Sequence, residues 1–339
     1  MPNVTTNAAY QQILSMAVED RSSSYEDLVS NNNVLLAVMR RKGLWQTYSG
    51  PKIRQTLQIG KQIAQWYSGY DQLLNPAIDL FNDAFFDPKQ VVVPIILSMQ
   101  EILNNQGSAQ LMDTLDSYMS AAERALEDAM DAGIYSDGTA NSNKQLTGLA
   151  TAVPITPTNI YGGIDRNTAS IWATKSFDAQ TYNTAIGTQV KFDTIRPFLN
   201  SIMTQQSRGR DYADLLIMSP QHYAAYDAAT VAIQRQTNET SLGQLGFTAL
   251  EYIGGGKRAE IVLDGGIGSN MPADTTFGLN TDTFRLRYHP DRNFDKLFSG
   301  EGQMPIDKDA IAQFIGWMGE LTMTSSLFNW RFRDSNPAT

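Results

Sequence analysis

Residues of the types that carry out catalysis are scarce in this chain. Its 339 residues include two histidines, His222 and His289, and no cysteine. The lack of cysteine excludes thiolate nucleophiles, disulfides and cysteine-based zinc sites. Neither histidine has an acidic or histidine partner at metal-ligand spacing, so we interpret both as structural or surface residues. We therefore predict no catalytic residue and no metal site, and we expect that the protein is not an enzyme.

Two glycine-rich stretches are compared with cofactor-binding loops and fit them poorly. Gly254-Gly255-Gly256-Lys257-Arg258 lacks the spacing and the Ser or Thr of a Walker loop, and we interpret it as a turn between two strands. Leu263-Asp264-Gly265-Gly266 follows a predicted strand, but the helix that a dinucleotide site requires does not follow it. Residues 274–282 contain several oxygen ligands but depart from calcium-loop spacing. No cofactor is predicted.

The composition indicates an acidic protein with a sizeable core. Hydrophobic residues make up 42% of the chain and charged residues 18%. The net charge of −9 argues against binding nucleic acid through basic patches, which depends on many Lys and Arg side chains. The longest apolar run, residues 91–97, is too short to cross a bilayer. With no signal-peptide pattern at the amino terminus, we predict no membrane partner and folding in a reducing cytoplasm.

One long amphipathic helix is the dominant predicted element. Ser98-Met99-Gln100-Glu101 has the pattern of a capping box, and the helical pattern continues to about Ala132, where Gly133 is expected to end it. At about 1.5 Å per residue this helix is roughly 50 Å long, more than a compact domain of this size needs. Its apolar stripe consists of Met99, Ile102, Leu103, Leu111, Leu115, Tyr118, Met119, Ala122, Leu126 and Met130.

The residues before this helix predict an arm and a long hairpin. A helical segment at residues 34–41 follows a loop and cap at residues 31–33. Strands are predicted at residues 55–59 and 61–67, and residues 91–96 are expected to return antiparallel to them. Pro94 favours an edge position for the returning strand. The segment between the strands is rich in aromatic residues, which indicates an interface.

The carboxyl-terminal half predicts an α/β module followed by two long strands. Helices are expected at residues 193–206 and from Pro220 to about residue 234, with a buried strand at residues 213–218 between them. Alternating strands and helices favour one mixed sheet with helices packed on it. The remaining predicted strands of the module cover residues 250–253, 259–263, 276–279 and 284–288. The two final strands are expected at residues 310–316 and 321–332.

The order of these elements and several short motifs resemble the major capsid proteins of tailed bacteriophages. The motifs include Asp137-Gly138-Thr139, Gly162-Gly163-Ile164-Asp165-Arg166 and Gly278-Leu279-Asn280-Thr281-Asp282. The resemblance implies an α+β protein of the Hong Kong 97-type capsid fold, with a long spine helix in its peripheral domain. The implied divisions are an N-terminal arm (1–45), an extended loop (46–98), a peripheral domain (99–184 and 301–339) and an axial α/β domain (185–300).

The resemblance also implies a structural function. Copies of the chain would assemble as hexamers and pentamers into an icosahedral phage head that encloses double-stranded DNA without sequence specificity. Implied partners are a separate scaffold protein, a portal and cement proteins, with assembly in the host cytoplasm and final location in the virion. The residues predicted to contact neighbouring copies are Trp66, Tyr67, Tyr70, Phe81, Phe85, Phe86, Gly162, Gly163 and Arg166.

Two alternatives stay open at this point. The first is an encapsulin-like nanocompartment shell, which shares the fold but packages an enzyme rather than a genome. The second is an enzyme with an unfamiliar α/β site, although the scattered histidines and the missing cysteine argue against it. Nucleic acid inside purified particles would distinguish a phage head from a nanocompartment.

Overall fold

The computed structural model describes residues 33–58, 60, 62–74, 76, 79–100, 108–231, 249–266, 269–297 and 309–337. Most of the predicted N-terminal arm, Gly107 and the start of the predicted long helix lie outside these ranges. The helices are α1 (Val34–Arg41), α2 (Ser108–Tyr135), α3 (Leu149–Ala152), α4 (Ile195–Gln205) and α5 (Pro220–Val231). None of the helices in these ranges is both long and apolar enough to cross a membrane.

Most strands of the described residues belong to one of two sheets. The strands are β1 (Trp45–Thr47), β2 (Ile53–Gln58), β3 (Phe81–Phe86), β4 (Lys89–Ser98), β5 (Ile160–Tyr161), β6 (Ile164–Asp165), β7 (Lys175–Asp178), β8 (Leu215–Met218), β9 (Ala249–Gly254), β10 (Lys257–Leu263), β11 (Thr275–Leu279), β12 (Phe284–Lys296), β13 (Ala310–Met323) and β14 (Trp330–Arg333). One sheet has the order β1-β12-β13-β4, and the other has the order β7-β14-β11-β8-β10-β9. Strands β2 and β3 form a separate hairpin, and so do β5 and β6.

Helix α1 forms where the sequence predicts it. The side chain of Asn33 caps the helix by accepting a hydrogen bond from the backbone N–H of Leu36 at 3.2 Å. All six residues from Val34 to Met39 are buried, in the core that also holds the four-stranded sheet. Strand β1 then continues from this helix and pairs parallel to β12. The helix is therefore part of the subunit's own core rather than of a free arm.

The four-stranded sheet packs on α2 through alternating residues of β4. Val93, Ile95 and Leu97 are buried in the same core as Met119 and Met130 of the helix. The stripe predicted on this helix is thus confirmed where its side chains are described. Strand β4 lies at the edge of the sheet, as Pro94 predicts, because proline cannot donate to a second neighbour.

The predicted end of the long helix is wrong by about one turn. Helix α2 continues through Gly133 to Tyr135, and its 28 described residues are about 42 Å long. A Cβ atom on Gly133 would lie 3.1 Å from the Cβ of Leu146, so glycine here allows a close approach rather than ending the helix. The predicted capping box cannot be followed, because Ser98 ends β4 and Glu101 is outside the described residues.

One face of the six-stranded sheet packs under α4 and α5 in a second core, while its other face, which includes Ile217 and Phe277, packs in the core shared with the four-stranded sheet. Strand β8 is buried along its whole length, as its apolar run predicts. The predicted strands up to residue 279 form with end shifts of one or two residues, whereas the strand predicted at 284–288 continues to Lys296. Gly255 and Gly256 make the turn between β9 and β10 with φ of +58° and +74°. The interpretation of this stretch as a turn rather than a phosphate loop is confirmed.

Membership of the two sheets differs from the predicted divisions of the chain. Strand β12, predicted within the axial module, pairs with β1 and β13 in the four-stranded sheet. The predicted bounds of the two final strands, 310–316 and 321–332, are wrong, because β13 runs unbroken from Ala310 to Met323. Strand β14 covers only Trp330–Arg333 and lies in the six-stranded sheet between β7 and β11. The alternation of apolar residues identifies a strand, but it is the same whichever sheet the strand joins.

Candidate functional site

Among the described residues, a hairpin and the loop that it carries hold the largest group of exposed apolar side chains. Strands β2 and β3 pair antiparallel, with Ile53 opposite Phe86 and Gln58 opposite Phe81. The predicted return by residues 91–96 is therefore wrong, and residues 62–68 form no strand. Strand β4 instead pairs with β13, because a 14-residue strand can pair along all ten residues of β4.

The two faces of this hairpin have different surroundings. On the inner face Ile53, Leu57, Ala84 and Phe86 are buried against the subunit. On the outer face the Arg54 guanidinium lies 2.6 Å from the Asp83 carboxylate, and the Thr56 hydroxyl donates to Asp83 at 2.8 Å. The hydrogen bond from Arg54 lowers the pKa of Asp83, with a further contribution from Thr56. These polar contacts couple the two strands and hold their register.

Large apolar side chains cover the outer face and the loop tip. Phe81 and Phe85 are exposed on either side of the Arg54–Asp83 pair, and Tyr67 is also exposed. Trp66 and Tyr70 show 100% and 108% of their reference surface to solvent. Residues 62–74 are held by hydrogen bonds within the loop, such as Leu74 N–H to Gln65 Oε1 at 2.9 Å. An apolar surface of this kind on an ordered hairpin is typical of a protein interface.

A tight turn between β5 and β6 supports the base of the hairpin. Gly162 and Gly163 have φ of +60° and +77°, as a two-residue hairpin turn requires. The Gly162 carbonyl accepts a hydrogen bond from Phe85 N–H at 2.9 Å. A Cβ atom on Gly162 would lie 2.8 Å from the Cβ of Ala84. Gly162 is therefore needed both for the turn and for the close approach of β3.

Arg166 holds this turn from inside the protein. Its guanidinium donates to the carbonyls of Trp172, Thr151 and Ala152 and to the Asn159 side chain at 2.8–3.0 Å. Burial lowers the pKa of Arg166 to about 10, so the side chain remains charged at neutral pH. It also lies 4.8 Å from the centre of the Tyr161 ring, a cation–π contact.

An aromatic stack connects this arginine to the hairpin. The Tyr161 ring lies 5.8 Å from Trp172 and 5.2 Å from Phe86, between centroids. Arg166 and Phe86 are 2% and 5% exposed, so these two predicted interface side chains have almost no surface for a neighbouring copy. They anchor the hairpin instead, and Gly162 acts with them. The predicted contact residues that are accessible are Trp66, Tyr67, Tyr70, Phe81, Phe85 and Gly163.

Two residues considered for catalysis, His222 and Asp264, make hydrogen bonds to neighbouring side chains within the fold. His222 is buried, and its Nδ1 lies 2.8 Å from the Thr276 hydroxyl. Burial lowers the pKa of His222 to about 3, so it is neutral at physiological pH. Asp264 accepts a hydrogen bond from the Tyr135 hydroxyl, and burial raises its pKa. Within the described ranges, no three His, Cys, Asp or Glu side chains group as a metal site would require.

Glu320 is a buried titratable residue that the sequence analysis did not single out. It lies in β13 and is 1% exposed. Its Oε1 accepts hydrogen bonds from the backbone N–H of Thr147 at 2.9 Å and of Leu321 at 3.2 Å. Burial raises the pKa of Glu320 to about 8, against the smaller effects of these hydrogen bonds and of Lys89. The continuous apolar run around it is the one sequence signal that predicts such burial.

We expect Glu320→Gln to make the stability of the protein less sensitive to pH. Since the folded state keeps a proton on Glu320 that the unfolded state releases, the free energy of unfolding of the wild type falls as pH rises from about 4.5 to about 8. In urea unfolding from pH 5 to pH 9, the wild type should lose about 4 kcal/mol more than the variant, whose profile is expected to be flatter. Asp87→Asn, at an exposed carboxylate, is the matched control, and parallel profiles for E320Q and wild type would refute the assignment.

Comparison with solved structures identifies the class of fold. The chain is similar to the capsid protein of cyanophage A-1(L), with 14% identity, a TM-score of 0.61, and coverage of 87% of this chain and 92% of that one. The capsid of a native GTA particle matches with 10% identity, a TM-score of 0.55, and coverage of 88% and 90%. A chain of Gordonia phage Cozz matches with 14% identity, a TM-score of 0.50, and coverage of 87% and 85%.

The chain therefore has the Hong Kong 97-type capsid fold, an α+β architecture, as the sequence resemblance predicts. No protein-family model matches the chain, and no curated protein matches it either. At these identities the similarity concerns the fold, while the particular function rests on the site.

Proposed function

We propose that this chain is the major capsid protein of a tailed bacteriophage, a structural subunit without an active site. The exposed loop tip carries the proposal, because Trp66, Tyr67 and Tyr70 extend from a firmly anchored hairpin with most of their surface in water. Docking against another copy would remove this apolar surface from solvent and favour association. The capsid fold of the chain supports the same conclusion.

The expected assembly follows from the asymmetry of the loop contact. A loop that docks on a different surface of the next copy makes a head-to-tail interface, and repeated head-to-tail contacts close into rings. We propose that these rings are hexamers and pentamers that tile an icosahedral head. In such a closed shell, modest contacts repeated in every subunit add up to a stable particle.

We further propose that the shell encloses double-stranded DNA without reading its sequence. The net charge of −9 suits a wall that does not adhere to packaged DNA. By resemblance to phage capsid proteins, the expected partners are a separate scaffold protein, a portal and cement proteins. Assembly is expected in the host cytoplasm, with the mature protein located in the virion.

Electron microscopy of the overproduced protein, with and without a candidate scaffold protein, tests this proposal. We expect closed shells in at least one preparation, and nuclease-protected DNA in particles isolated from infected cells. Shells filled with a protein cargo and free of nucleic acid would replace the phage head with a nanocompartment. Monomers in both preparations would overturn the proposal, and so would monomers that turn over a substrate.

A further inference from the structure

The two sheets are joined at one compact junction where two chain crossings lie side by side. Residues 280–283 lead from β11 of the six-stranded sheet to β12 of the four-stranded sheet, and residues 324–329 lead back from β13 to β14. The buried Asn329 connects the crossings. Its Nδ2 donates to the Thr283 hydroxyl at 3.0 Å, and its Oδ1 accepts from Asn280 N–H at 2.7 Å. A change in the relative orientation of the sheets would therefore have to alter the hydrogen bonds of Asn329 at this junction.

Arg41 and Lys42, at the carboxyl end of α1, form ion pairs with carboxylates close to this junction. Lys42 Nζ donates to the Asp214 carboxylate and to the Thr281 hydroxyl, and it lies 3.7 Å from Asp282 Oδ1. Arg41 Nη2 lies 3.2 Å from Glu260 Oε2. Asp214 directly precedes β8 of the six-stranded sheet. In contrast, α1 leads into β1, which pairs with β12 of the four-stranded sheet.

Asp214 links its ion pair with Lys42 to one conformation of residues 280–283. Its Oδ1 accepts from the backbone N–H of Thr281, and its Oδ2 accepts from the Thr281 hydroxyl, both at 2.7 Å. Lys42 therefore binds a carboxylate that already holds Thr281 within the crossing of residues 280–283. The side chains of Lys42 and Asp214 are 29% and 33% exposed, so salt in the solvent can screen their attraction.

We infer that Arg41 and Lys42 form an ionic clasp that sets the orientation of the two sheets and makes it dependent on ionic strength. The shared apolar core keeps the sheets together, whereas the clasp and the Asn329 contacts select one orientation at the junction. If the chain forms the shell proposed above, this orientation determines how subunits tilt in a ring. Loss of the clasp then broadens the distribution of particle diameters.

Electron–electron distance measurements on spin-labelled protein test the clasp without any assembly. Because the chain contains no cysteine, Val92→Cys in β4 and Ile253→Cys in β9 supply a unique pair of labelling sites, one in each sheet and both exposed. We expect one narrow distance distribution at 0.1 M salt, where the Debye length is about 10 Å. In R41A/K42A, and in the parent protein at about 1 M salt, the width is expected to at least double.

Two further variants separate the clasp from general effects of charge. Lys42→Arg keeps the cation and should preserve the narrow distribution. Lys52→Ala removes a surface ion pair with Asp87, 3.0 Å apart, that does not join the sheets, and it should also leave the distribution unchanged. Distributions that superimpose for parent and R41A/K42A at both salt concentrations would overturn the clasp.

Particle formation tests the proposed function, whereas the distance distributions test the clasp. A parent protein that never forms shells would contradict the proposed function, whereas the distance distributions would still support or overturn the clasp. If R41A/K42A does not fold, as judged by circular dichroism, the salt titration of the labelled parent decides. Where shells form, a diameter distribution in R41A/K42A no broader than that of K52A would refute the link between the clasp and particle geometry.

Discussion

Replacing Trp66, Tyr67 and Tyr70 together by alanine is expected to abolish particle assembly while the subunit stays folded. The three side chains have most of their surface exposed in the single chain, so their removal costs the fold little. Buried aromatic anchors of an interface typically contribute about 2 kcal/mol or more each. Because every subunit of a shell would repeat this contact, the loss accumulates around each ring and the closed particle is lost.

The measurement for this variant compares assembly with folding. Sedimentation velocity and negative-stain microscopy report particles, and thermal unfolding reports the subunit. Phe192→Ala is the matched control, because this aromatic residue is 63% exposed but lies far from the loop in sequence. Normal shells from the triple variant would remove the loop tip from the interface. A large fall in melting temperature would instead mean that the tip belongs to the subunit's own core.

Arg166→Met is expected to lower the free energy of unfolding by about 3 kcal/mol. Methionine can fill part of the volume of the arginine stem, but it leaves the carbonyls of Trp172 and Ala152 and the Asn159 side-chain oxygen without the donor that Arg166 supplies. The Thr151 carbonyl keeps its hydrogen bond from the Asn159 amide at 3.2 Å. Each unsatisfied buried acceptor costs about 1–3 kcal/mol, reduced where the site relaxes or admits water. The cation–π contact with Tyr161 is lost as well.

Urea unfolding of the purified subunit measures this loss. Arg166→Lys keeps the charge, but a single ammonium group cannot reach four separated acceptors, so we expect it to recover only part of the stability. Arg208→Met, at an exposed arginine, is the control and should change the free energy of unfolding by less than about 0.5 kcal/mol. A value for R166M as small as that of the control would contradict the anchoring role.

The anchor also explains how a folding defect can reach the interface. Arg166 contacts Tyr161, Tyr161 packs on Phe86, and Phe86 lies in the strand that returns from the exposed loop. Loss of the Arg166 contacts therefore weakens the packing of Tyr161 on Phe86 at the base of the hairpin. R166M is thus expected to lower both stability and assembly, whereas the tip variant lowers assembly alone.

The positions of individual helices and strands were accessible from the sequence because they depend on local chemistry. The cap at Asn33 and the apolar run after it place α1, and Ser219-Pro220 marks the start of α5. Pro94 identifies an edge strand because it lacks a backbone N–H. The aromatic residues of the loop could be expected at the surface because a long hairpin with an aromatic-rich tip has no core of its own in which to bury them.

Strand partners and buried polar residues were decided only by the tertiary structure. Apolar alternation is the same whether a strand pairs with its neighbour in sequence or with one about 200 residues away. The sequence alone therefore could not show that β12 joins the four-stranded sheet and β14 the six-stranded sheet. Nor does a lone arginine or glutamate show that it is buried. The burial of Arg166 and Glu320 depends on carbonyl and amide groups that distant segments bring to them, because hydrogen-bond partners are selected by position in space rather than by order along the chain.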